Sequence, residues 1–286
     1  MPALLLITSI ILSTGRNLLS KRISVIPFGT GSFFFHQFLL FAFGGVSVLL
    51  FGNISWSDIS FQTYLYAIIY AFALICAQWF YTAAFATGNT ALCSTVYSMG
   101  FIFPTLSGAI FWHEPFSLFD LIGIILATVT IALSKSSPKN EKDRSKQYFI
   151  PLIVAMLASG ALGIIQKLQQ RSPYAEERGS FLLIAFAIAA CVSLTVSAVK
   201  RGIRSPLPKH SFAFASVIGL FFGCCNLLNT TLAGILDTAI FFPTLNIGII
   251  FLTMLSGSLI YKEKLSVREV ILLFSGSLSI ALLNIF

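Results

Sequence analysis

The sequence predicts an all-α integral membrane protein of ten transmembrane helices, arranged as two inverted-topology five-helix repeats. Three observations predict it. Hydrophobic residues make up 57% of the 286 and charged residues only 10%, with a mean hydropathy of +0.90. That is more apolar surface than a water-soluble globule of ordinary make-up can bury. The apolar residues fall in runs of about 20, the length that crosses a hydrocarbon core of roughly 30 Å. One long polar stretch, Ser134 to Gln147, divides the chain near its midpoint, and the segments on either side of it repeat one another.

Apolar runs bounded by charge or turn residues predict helices over 2–21, 29–51, 61–86, 90–111 and 117–134. A second set follows over 148–170, 179–199, 210–232, 237–260 and 267–285. The first run, Met1-Pro2 and then Ala3 to Leu12, has no basic n-region, and Gly15-Arg16-Asn17 is a poor signal-peptidase site. It is read as a retained helix. The stretch 135–147 has the composition of a mobile linker. The predicted organisation is therefore an N-terminal repeat over 1–134, a linker over 135–147 and a C-terminal repeat over 148–286.

At an offset of 149, Leu106, Ser107, Gly108, Glu114, Ser117 and Ile131 to Leu133 recur as Leu255, Ser256, Gly257, Glu263, Ser266 and Ile280 to Leu282. Asp120 recurs as Glu269. Chance similarity between apolar helices does not explain a matching polar break with a glutamate, a serine and a second acid. Weaker matches set Ser20 and Lys21 on Gln166 and Lys167, and Gln78 and Tyr81 on Asn226 and Asn229. An odd number of spans per half inverts the second half, a layout found in carriers that bind near the midplane and rock between two faces.

Lys and Arg crowd the odd-numbered connections, including Lys21, Arg22, Lys135, Lys139, Lys200, Arg201, Lys262 and Lys264, while the even ones carry only Arg171 and Arg178. By the positive-inside rule the odd connections are cytoplasmic and both termini face outward. The net charge of +8 is thereby read as topology-setting, not as a nucleic-acid surface. The five cysteines, Cys76, Cys93, Cys191, Cys224 and Cys225, lie inside apolar runs without metal-like spacing. Neither a metal nor a cofactor is expected.

The pattern closing each half, an apolar helix ending Gly-x-x-x-x-x-Glu, then Ser and another apolar helix, resembles the ten-helix EamA-type branch of the drug/metabolite transporter superfamily. Gly15, Asn17 and Lys21 match that branch's first-helix pattern, Gly-x-Asn-x-x-x-Lys. The resemblance implies a basket of helices around a central pocket, braced by the fourth, fifth, ninth and tenth. It also implies transport of amino acids, nucleosides, sugar conjugates, quaternary amines or drugs. Two departures stand out. The family places both termini in the cytoplasm, against the charge pattern here. His113 precedes Glu114, and Lys262 precedes Glu263, where glycine is commoner.

Polar groups inside a hydrocarbon span are costly and normally face the bundle interior, which makes them the site candidates. Arg16 and Asn17 lie late in the first helix. The guanidinium suits two-point capture of a carboxylate or phosphate, and the competing assignment is snorkelling to the interface. His36, beside Gln37, is either a proton-coupling group or a neutral packing residue, the second being the commoner case. Gln78, Trp79 and Tyr81, with Tyr97, offer aromatic faces to rings or cations. Asn226 and Asn229 share a helix face and, with Asn246, bring amides from the second half, where interhelical hydrogen bonding is the alternative. Lys167 is either a second buried cation or, the commoner case, snorkels to the interface.

Glu114, Asp120, Glu263 and Glu269 lie at helix ends and are expected to cap amides or pair locally. Asp237 is expected to cap the ninth helix, and Gly219 with Gly223 to permit close helix contact. No Asp or Glu lies deep in a span, which disfavours the carboxylate proton exchange of the related small multidrug resistance proteins.

The leading expectation is a secondary transporter of the cell's inner (cytoplasmic) membrane. It moves a small polar metabolite, amino-acid-like or another zwitterion or anion, by uniport or with protons as the coupling ion. Its partners are that solute and the lipid bilayer, without nucleic acid, and a monomer is the favoured state. Multidrug or organic-cation export is the alternative, and a non-transporting membrane scaffold is less favoured. With His36, His113 and His210 as the three histidines and no H-E-x-x-H, acid pair or Ser-His-Asp set, an enzyme is not expected.

Overall fold

In a computed structural model, the described residues are 2–23, 29–56, 58–87, 97–133, 149–200, 211–261, 274, 275 and 278. Nine α-helices are found among them: α1 (Pro2–Ile23), α2 (Thr30–Phe51), α3 (Phe61–Thr87), α4 (Ile102–Phe111), α5 (Leu118–Leu133), α6 (Phe149–Arg171), α7 (Arg178–Val199), α8 (Ser211–Ile235) and α9 (Thr238–Tyr261). Two short 3-10 turns, Met99–Phe101 and Ala175–Glu177, lead into α4 and α7. Apart from α4, whose expected first turns include undescribed residues 90–96, these helices begin and end within three residues of the expected runs. The linker 135–147, Glu263 and Glu269 lie outside the described residues, as does most of the expected tenth helix.

No strand occurs among the described residues, and six helices are long and apolar enough to cross a membrane. These are Pro2–Ser20, Thr30–Phe51, Phe61–Tyr81, Ile150–Arg171, Ala175–Val199 and Phe212–Ile235. Met99–Phe111 and Thr238–Thr253 are shorter and equally apolar. In lipid, a helix is one of the few ways to satisfy every backbone N–H and C=O within the segment. The protein is a multi-pass membrane protein with an all-α fold.

The chain divides into two compact units, residues 1–72 with 168–234 and residues 73–167 with 235–286. Each unit draws helices from both sides of the linker, and the chain passes between units within α3, within α6 and at the end of α8.

In the first unit α2 packs along α7. Ser197 Oγ donates to the Gly31 carbonyl at 2.9 Å, and a Cβ on Gly44 would stand 3.0 Å from the Phe186 ring. Glycines also let α8 approach α2. A Cβ on Gly219 would come 2.6 Å from the Leu40 carbonyl oxygen, and one on Gly223 would overlap the Gly44 carbonyl and Ser47 Oγ. The Gly219-x-x-x-Gly223 pair therefore does what small residues do between helices in lipid, where close backbone approach replaces hydrophobic drive. Phe41, Phe186 and Phe222 close the core, with ring centroids 5.6 to 6.4 Å apart.

In the second unit α4 packs on α9 and α6 lies against α4. A Cβ on Gly160 would stand 2.6 Å from the Phe103 ring, and one on Gly163 would stand 2.8 Å from Pro104.

Candidate functional site

The first unit gathers three of the expected site residues, Arg16, Asn226 and Asn229, along the contact of α1 with α8. Two polar residues spaced four apart on each helix meet across it. Ser9 Oγ donates to Asn229 Oδ1 at 2.6 Å, and Ser13 Oγ donates to Cys225 Sγ at 3.3 Å. That spacing puts each pair on one helix face. Tyr70, on α3 and fully buried, donates its hydroxyl to Asn226 Oδ1 at 2.5 Å. Asn226 Nδ2 in turn donates to the Phe222 carbonyl at 2.8 Å. Asn226 is thus held from two sides, and its role in the free protein is interhelical.

Arg16 follows this polar seam by less than one turn. It is half-buried, and its guanidinium carbon stands 5.0 Å from the centroid of the Phe222 ring. A guanidinium over an aromatic face is attracted by the ring quadrupole while its N–H groups stay free to donate. Among the described residues no Asp or Glu pairs with it. Asn17, next on α1, is also half-buried. His36, on α2 in the same unit, is 8% exposed.

The remaining candidates belong to the second unit. Tyr81 and Tyr97 form a ring pair with centroids 4.4 Å apart and planes at 44°. Gln78 is half-buried, whereas Trp79 is 44% exposed. Asn246 Nδ2 donates to the Phe242 carbonyl one turn back on its own helix, at 2.9 Å.

The second unit also holds a cation for which the less favoured of two expectations is met. Lys167 does not snorkel. It is fully buried, and its Nζ lies 2.5 Å from Glu114 Oε1 and donates to the Leu236 carbonyl at 3.1 Å. Glu114 Oε2 accepts the Thr238 backbone N–H and hydroxyl, each at 2.8 Å. The carboxylate therefore caps the start of α9, where free amides and the helix dipole favour an anion. The cation meanwhile binds the carbonyl just beyond α8. Burial alone would push the Glu114 carboxyl up; the Lys167 ammonium and the two Thr238 donors outweigh it and hold the carboxyl below its ordinary value. The expected capping role of Glu114 is thus met, with a partner distant in sequence. Asp237 contributes its backbone carbonyl to Ile240 and Phe241 N–H.

The same geometry explains the Gly-x-x-x-x-x-Glu motif. A Cβ on Gly108 would overlap Thr238 Oγ1 and stand 2.5 Å from Glu114 Oε2, so the glycine leaves room for the glutamate that ends the motif. Trp112 and Glu114 N–H both return to the Gly108 carbonyl, at 3.1 and 3.2 Å. His113 makes that return with φ of 50°, the left-handed region that glycine enters at least cost.

No family model matches the chain. An uncharacterised protein of Haemophilus influenzae (strain ATCC 51907 / DSM 11121 / KW20 / Rd) is 27% identical over 176 residues, which cover 57% of this chain and 55% of that one. The chain thus matches about half the length of that curated relative. A protein of known crystal structure superposes with a TM-score of 0.77 at 14% identity, over 99% of this chain and 96% of that one. At that identity the likeness is one of fold alone.

Proposed function

We propose that the protein is a secondary transporter of the drug/metabolite type, carrying a small polar metabolite, zwitterionic or anionic, across the cell's inner membrane by alternating access. The observation that carries this reading is Arg16. A guanidinium within a membrane-crossing helix is expensive, and here it lies half-buried over Phe222 without an acid to neutralise it among the described residues. A carboxylate or phosphate on the carried solute supplies that partner, by two-point hydrogen bonding. Support for an inverted repeat comes from the pairing of equivalent helices. Within the first unit α2 packs on α7, the second helix of each expected half, and within the second unit α4 packs on α9, the fourth of each. Ten spans and no enzymatic chemistry complete the reading.

The test is uptake into proteoliposomes across amino acids, nucleosides, sugar phosphates and amines. Arg16→Ala is expected to abolish uptake of anionic and zwitterionic solutes, with Arg16→Lys retaining part of it, since an ammonium keeps the charge but loses the fork. Undiminished uptake by Arg16→Ala overturns the clamp. The Tyr81–Tyr97 ring pair favours a second reading, export of hydrophobic cations. It gains if such cations are moved and amino acids ignored.

A further inference from the structure

In the first unit two buried side-chain oxygens, one on α2 and one on α7, have no hydrogen-bond partner among the described residues. They are Gln37 Oε1 and Ser193 Oγ. Gln37 is 6% exposed and Ser193 not at all. The packing of α2 on α7 sets them at similar heights along the pair. Gly31 lies against Ser197 and Gly44 against Phe186, so α2 and α7 run antiparallel, and Gln37 and Ser193 both fall between those two contacts. Gln37 stands one turn before Phe41, which meets Phe186 at a centroid distance of 6.4 Å. Ser193 stands one turn before Ser197, which reaches Gly31. One turn keeps a side chain on the same face, which puts Ser193 on the α7 face toward α2 and Gln37 on the α2 face that meets both α7 and α8. Ala189 and Ala190, one turn before Ser193, are buried and small.

Most other buried serine hydroxyls of this unit have partners among the described residues. Ser9, Ser47, Ser180 and Ser197 all donate to protein acceptors. Thr14 and Thr230 Oγ1 also have no partner among the described residues, but they sit more than a turn apart along the α1–α8 contact. Leaving two buried oxygens dry is costly, and more so away from water.

We infer that the Gln37–Ser193 layer is a subsite for a small hydrogen-bond donor, either the ammonium of a zwitterionic solute or an internal water. Gln37 Oε1 only accepts and Ser193 Oγ can accept as well as donate, so a guest that brings hydrogens can bridge the two. An ammonium brings three and a water two, which suffices to bridge the pair. The ammonium arm rests on the transporter reading above; the water arm does not.

The test uses alanine and propionate, which differ by the amine, with the full chain in detergent. Thermal stability is read for the parent, Gln37→Met and Ser193→Ala, with and without each solute. If the guest is the solute's ammonium, alanine binds the parent about tenfold or more tightly than propionate, and both variants lose that preference. If it is a water, both variants unfold at lower temperature without solute, and their preference for alanine matches the parent's. Variants at least as stable as the parent, with the preference unchanged, overturn the subsite. Should neither solute stabilise the parent or enter proteoliposomes, the zwitterion reading fails, and the solute-free comparison still decides for or against the water.

Discussion

Arg16 in the first unit and Lys167 in the second are both cations in apolar helices, and their surroundings differ in kind. Lys167 has no exposure and shares its charge between a carboxylate and a helix-end carbonyl. Arg16 is half-buried, with an aromatic ring beneath it. Around each cation the unit is stitched accordingly. The first unit uses neutral hydrogen bonds, from Ser9, Ser13 and Tyr70 to residues of α8. The second uses an ion pair that joins the end of α4, the body of α6 and the start of α9. A cation whose neighbours exhaust its donors holds helices together. Among the described residues no acid meets the Arg16 guanidinium, and that difference is why the proposed function gives binding to Arg16 and leaves Lys167 to the architecture.

The sharpest way to break this comparison is to remove each cation in turn. Lys167→Met leaves a buried carboxylate without its counter-ion and is expected to cost about 3 to 5 kcal/mol, read as a large drop in resistance to thermal or SDS unfolding. Lys167→Met with Glu114→Leu is expected to recover much of that loss. Arg16→Met should leave stability close to the parent's while changing solute binding. Equal stability losses at the two positions would erase the distinction. The sign of the pH dependence follows from the lowered Glu114 carboxyl. Its contribution is complete above the ordinary carboxylate range and fades as pH falls through the lowered value. Glu114→Gln is expected to flatten that acid limb.

A smaller effect sharpens the neutral side. Tyr70→Phe removes the donor to Asn226 Oδ1 and is expected to cost roughly 0.6 kcal/mol, the average for interhelical hydrogen bonds in membranes. A loss approaching that of Lys167→Met would mean that the first unit depends on its neutral seam as heavily as the second depends on its ion pair. The smallest effect is expected at His113. With φ of 50°, His113→Gly should change stability by less than about 1 kcal/mol, toward greater stability, because the removed Cβ relieves more strain than the added chain freedom costs. Clear destabilisation would give the imidazole a role of its own.

Helix limits were legible in the sequence because lipid demands a fixed apolar length and polar residues mark its ends. Pairings were not legible to the same degree. Glu114 stood out as a repeated residue, and its place at a helix end announced a cap. Thr238, the amide it caps, lies 124 residues away, and no periodicity within one helix points across such a distance. Snorkelling is the commoner expectation for Lys167 for the same reason, since a lysine near a helix end snorkels unless something unseen holds it. Tyr70 sits in a run crowded with aromatics, where nothing distinguishes one hydroxyl that finds an amide. By contrast, Ser9 with Ser13 and Cys225 with Asn229, each four apart on their helices, are a signal that spacing offered. Arg16 was found because a charge in an apolar helix is rare, and rarity is visible in one sequence.

The Glu114–Lys167 cluster also constrains biogenesis. Glu114 leaves the ribosome before either of its partners, and the amide that completes its coordination follows 124 residues later. The nascent second unit therefore holds the Glu114 carboxylate unpaired until Lys167 emerges, and short of its last donors until Thr238 follows. Lys167 can neutralise the carboxylate as soon as α6 is made, and the Thr238 donors that complete its coordination come last.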